Sequence, residues 1–93
     1  MSKIKNVERR IWDVEGFAVR FLYLDGTDVR GDKTGLPQYQ YDRAAGNDIT
    51  VETWKETRFR QVYPGYEVDV LDGYNSSVRG NTRLATVRRS YRE

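Results

Sequence analysis

The sequence contains no cysteine and no histidine. Without cysteine there is no disulfide framework and no thiolate zinc site. Without histidine the commonest general base and the commonest metal ligand are missing, which excludes nucleophile–histidine catalysis. No stretch approaches the roughly 20 apolar residues of a membrane-spanning helix. The start, Met1-Ser2-Lys3-Ile4-Lys5, is charged and has no apolar run behind it, unlike a secretory signal. The expected compartment is therefore the cytoplasm. Proline occurs only at Pro37 and Pro64, so each marks a break in the chain's organisation.

What is present fits one small domain of 93 residues. The net charge is only +2, but it is unevenly placed. Residues 41–72 carry four basic and seven acidic groups, whereas residues 73–93 carry five arginines and one glutamate. Arginine outnumbers lysine by twelve to four, which favours bidentate and stacked contacts over simple point charges.

The pattern predicts a flexible basic arm over residues 1–10 and a single α+β domain over 11–93. Phe17, Val19, Phe21 and Tyr23 alternate with Ala18, Arg20 and Leu22 as in a strand. Asp25-Gly26 is a turn pair, and Val29 opens a return strand. Residues 37–46 read either as a short helix over Gln38–Ala45, with Pro37 at its start and Gly46 past its end, or as a tyrosine-bearing loop. A central helix is expected from about Val51 to Tyr63. Thr50 supplies its N-cap, Ile49 and Trp54 a hydrophobic staple, and Pro64-Gly65 its end. Tyr66, Val68 and Val70 alternate as a further strand, Val78 begins a return, and Leu84–Tyr91 is expected as one more strand.

The two strand regions match at a constant shift of 49 residues. Gly16 pairs with Gly65, Val19 with Val68, Leu22 with Leu71, and Val29-Arg30-Gly31 with Val78-Arg79-Gly80, without a gap. The expected fold is thus two β-hairpin units, a possible internal duplication, flanking one central helix. They would share a single antiparallel or mixed sheet of about four to five strands.

No short motif points to a cofactor. Gly26–Thr34 nearly spells a phosphate-binding loop, but Asp32 intervenes before Lys33 and would repel phosphate. Arg30-Gly31-Asp32 and Asn75-Ser76-Ser77 spell extracellular motifs in a chain with no secretory feature. The carboxylates are numerous but have no metal-loop spacing, so no metal and no catalytic residue are expected. Arg30 and Arg79 occupy equivalent places in the repeat, where structural glycines follow, and two such arginines can grip one anion. Tyr39, Tyr41 and Tyr91 lie in loops or near the end, and Arg88-Arg89-Ser90-Tyr91-Arg92 interleaves arginine with an aromatic ring. These types are enriched at protein interfaces and also stack on unpaired bases. The sequence therefore reads as a non-catalytic binding module, with Tyr39, Tyr41, Arg88, Arg89 and Tyr91 as the partner-binding residues. A protein partner or self-association is the leading reading, and RNA or single-stranded DNA is the alternative.

Overall fold

The computed structural model describes residues 2–92. Three helices and one two-stranded antiparallel sheet follow in the order α1 (Ile4–Glu15), β1 (Ala18–Leu22), α2 (51–62), β2 (Glu67–Leu71) and α3 (Leu84–Ser90). The class is α+β, but a sheet of four to five strands is not formed. Residues 4–10, expected in a flexible arm, are the first turns of α1. Their apolar side chains Ile4 and Val7 continue to Ile11 at helical spacing, and all three are fully buried. Leu84–Tyr91, expected as a strand, is helical over Leu84–Ser90. Residues 37–46 contain no helix.

The two missing return strands have one cause. Each strand ends in a turn that begins a hairpin: Tyr23 N–H donates to the Thr27 carbonyl, and Asp72 N–H to that of Ser76. One bridge follows in each case, Leu22 with Asp28 and Leu71 with Ser77. The returning arm then leaves the sheet to serve a helix start. Gly31 and Lys33 carbonyls accept from Lys5 and Ile4 of α1, while Gly80 and Thr82 carbonyls accept from Glu52 and Val51 of α2. The first N–H groups of a helix lack partners within it. Here they find them in the arms, so the arms cannot extend as strands.

The strands instead pair with each other. Arg20 lies opposite Asp69, 49 residues on, at the centre of the two-stranded ladder. Their side chains meet at 3.5 Å on the outer face. Gly26 and Asn75, again 49 apart, both adopt positive φ in the two turns, at 92° and 62°. The helices are offset differently: Ile4 and Val51 are 47 apart, so the second half holds two more residues between helix start and strand. α2 absorbs one of them by a π-helical turn over Lys55–Phe59, whose wider i→i+5 ring takes an extra residue. Thr50 caps α2 by accepting from Thr53 N–H at 3.2 Å.

Val19 and Phe21 of β1 and Val68 and Val70 of β2 point to one core with Ile4, Val7 and Ile11 of α1 and Val51, Trp54 and Phe59 of α2. Trp54 is fully buried and stacks edge-on against Phe17 at 5.1 Å. Residues 36–41 lie on α2, where Tyr63 Oη donates to the Pro37 carbonyl at 2.8 Å. α3 lies at the C-terminal end of α1, where Arg88 Nε donates to the Glu15 carbonyl at 2.7 Å.

Candidate functional site

Glu15 follows Ile11 on the apolar stripe of α1 and is buried with its neighbours, at 1% exposure. A buried carboxylate must be paired and fully hydrogen-bonded to be tolerated. Oε1 accepts from Ala45 N–H at 2.8 Å and from Arg88 Nη2 at 3.2 Å. Oε2 accepts from Tyr39 Oη at 2.5 Å and from Arg58 Nη1 at 2.7 Å. Trp54 Nε1 in turn donates to Tyr39 Oη at 3.1 Å. One carboxylate thus gathers α1, the loop before α2, α2 itself and α3. Burial, then the bond to Glu15, pushes the Tyr39 hydroxyl far above its ordinary range, so it stays a donor at any ordinary pH. Burial pulls the Arg58 guanidinium down, but its bonds to Tyr39 and Glu15 outweigh this and hold it above its ordinary value. Two guanidiniums thus face one carboxylate.

This network takes up most of the residues expected at a partner surface. Tyr39 is buried and cannot present its ring to a partner. Tyr41 is half-buried, with the Arg58 guanidinium 4.5 Å above its ring. Arg88 is held by Glu15 and by Asn47 Oδ1, the latter at 2.6 Å. Tyr91 closes the end of the sheet: its hydroxyl accepts from Ala18 N–H at 2.9 Å and donates to the Leu71 carbonyl. Only Arg89 of the five is exposed and has no carboxylate partner among the described residues. Arg30 pairs with Asp32 at 3.6 Å, while Arg79 lines a cleft of about 260 Å³ with Asp72, Thr82 and Thr86. No bond joins the two arginines, and they share no partner among the described residues.

Two further features lie beside α3 or at its end. Trp12 on α1 is 40% exposed and packs edge-on against Tyr91 at 4.9 Å. Beside α3, Arg88, Arg89, Arg92, Ala85 and Asn47 line a cleft of about 240 Å³ with no carboxylate among its described lining residues. Between residues 73 and 92 the sequence holds five arginines and no acidic residue, which was the readable signal. The carboxylate on the stripe of α1 was the readable signal for Glu15. Trp12 had none, because its partner Tyr91 is brought in only by the fold. Among the described residues no group of three or more histidine, cysteine, aspartate or glutamate side chains is placed to hold a metal, and no helix is long and apolar enough to cross a membrane. No family model, no curated protein and no solved structure matches this chain.

Proposed function

We propose that the protein is a non-catalytic binding module that docks a protein partner on the face formed by Trp12, Tyr91 and the arginines of α3. The observation that carries this reading is the exposed Trp12, which packs edge-on against Tyr91 at the end of the arginine-bearing α3. Tryptophan, tyrosine and arginine dominate interface energetics, because a rigid ring loses little entropy on burial and a guanidinium adds directional bonds. Trp12 points outward from a helix whose opposite side is fully buried, so folding does not account for its exposed ring.

The test is capture on tagged protein at about 0.05 and 0.5 M salt, with Trp12→Ala as the comparison. A protein recovered by the parent at both salts and lost with Trp12→Ala supports the reading. Sedimentation of the purified chain shows whether that protein is a second copy. Recovery of nucleic acid that dissociates steeply with salt would support the alternative, which the concentration of arginine over residues 79–92 favours. Capture unaffected by Trp12→Ala would place the interface elsewhere.

A further inference from the structure

The cleft beside α3 has the features of a seat for an oxyanion. Ala85, Arg88, Arg89 and Arg92 are spaced by three, four and seven residues, so they share one side of the last helix and its exit. Arg88 forms a fixed wall, since its nitrogens are already engaged by Glu15 and Asn47. Asn47 is fixed as well. Its carbonyl oxygen accepts from Ala85 N–H at 3.1 Å, and its side-chain Oδ1 accepts from Arg88. Arginine offers no acceptor, so the orientation of the Asn47 amide is chemically forced and its NH₂ is left to donate. Ala85 contributes only a methyl group where a longer side chain would fill the space. Arg88 and Arg89 in the last turn complement the helix dipole, but Arg92 lies beyond the helix and the dipole does not explain it.

We propose that this cleft seats an oxyanion carried by an acidic protein segment, gripped by Arg89, Arg92 and the Asn47 amide. Carboxylate and phosphate share the required chemistry, two oxygens able to accept from a planar guanidinium. The proposal rests on the protein-partner reading above and specifies the chemistry of that partner.

The experiment titrates isotope-labelled protein, followed by amide chemical shifts, with three probes. These are a hexaglutamate peptide, a neutral peptide bearing one phosphoserine, and a twelve-nucleotide oligothymidylate. At least one peptide is expected to bind saturably, shifting the Asn47 side-chain amide and the Ala85 and Arg89 backbone amides. Affinity should fall at least about tenfold in Arg89→Ala/Arg92→Ala, which removes the grip. It should fall similarly in Ala85→Leu, which fills the cleft without changing charge, and stay unchanged in Arg43→Ala, an exposed arginine elsewhere. Failure of both peptides to bind, equal binding by Ala85→Leu, or tighter binding of the oligonucleotide than of either peptide overturns the proposal. If the peptides fail while Trp12-dependent protein capture persists, the docking reading stands and only the oxyanion seat is lost. If the peptides bind as expected but capture does not depend on Trp12, the seat stands without that face.

Discussion

Glu15→Gln changes one atom type in the most connected side chain of the protein. The amide cannot satisfy its surroundings in either orientation. Oε1 faces two donors, Ala45 N–H and Arg88, and Oε2 faces two more, Tyr39 Oη and Arg58. Whichever oxygen is replaced, the new NH₂ points at donors. Tyr39 cannot readily turn its hydroxyl around to accept, because it already accepts from Trp54 Nε1. Two guanidiniums also lose their only carboxylate among the described residues, with side chains just 21% and 18% exposed. Removing one partner of a buried pair costs about 3–5 kcal/mol, and the residual solvent at the arginines argues for the lower end. A domain of this size has a total stability of about 5–14 kcal/mol. The melting temperature should therefore fall by roughly 12 °C or more in a calorimetric or circular-dichroism melt. Adding Arg58→Met to Glu15→Gln should cost less than the sum of the two single changes, since an unpaired cation is removed. A Glu15→Gln protein that melts within about 3 °C of the parent would refute the reasoning.

Two further outcomes follow from particular contacts. Glu8 accepts from Phe21 N–H at 2.9 Å, and burial, opposed by that bond and by Arg20, holds its carboxyl above its ordinary value of 4.5. A folded-state pKa above the unfolded one gives a stabilisation present below about pH 4.5 and lost as pH rises through the folded value. Glu8→Gln keeps an acceptor for Phe21 and does not titrate, so its melting temperature at pH 7 should equal or exceed the parent's, with the advantage shrinking toward pH 4; a variant clearly less stable at pH 7 would contradict this. Gly73→Ala should destabilise by about 1–3 kcal/mol in a denaturant titration, because a Cβ there would lie 2.3 Å from the Ser90 carbonyl oxygen of α3. The equivalent residue in the first half is Leu24, which is 72% exposed, so a matched Leu24→Ala change should be near neutral; equal costs at both positions would show that α3 does not impose the glycine.

The α+β class, the helix over 51–62 with its Thr50 cap, and the positions of the two strands were legible in the sequence, because each is set by local chemistry. Alternation places Val19, Phe21, Val68 and Val70 on one side of a strand, and Pro64-Gly65 ends a helix wherever it falls. The helix over Ile4–Glu15 was legible too, in the spacing of Ile4, Val7 and Ile11, but the surrounding lysines and arginines masked it. The strand expected over Leu84–Tyr91 and the longer returns after Val29 and Val78 were not decided locally. A five-residue arm can pair with its own hairpin or turn its carbonyls to a helix start. The unsatisfied N–H groups of α1 and α2 decided for the latter, and the strands were left to pair with each other. Tyr39, Tyr41, Arg88 and Tyr91 looked free because nothing near them in sequence needs them. Their partners, Glu15, Arg58 and the sheet end at Ala18 and Leu71, lie up to 73 residues away. A buried carboxylate recruits donors from wherever the fold can bring them, so only the tertiary structure could show which aromatic and arginine side chains hold the molecule together. By the same assembly, Trp12, Arg89 and Arg92 are left facing outward.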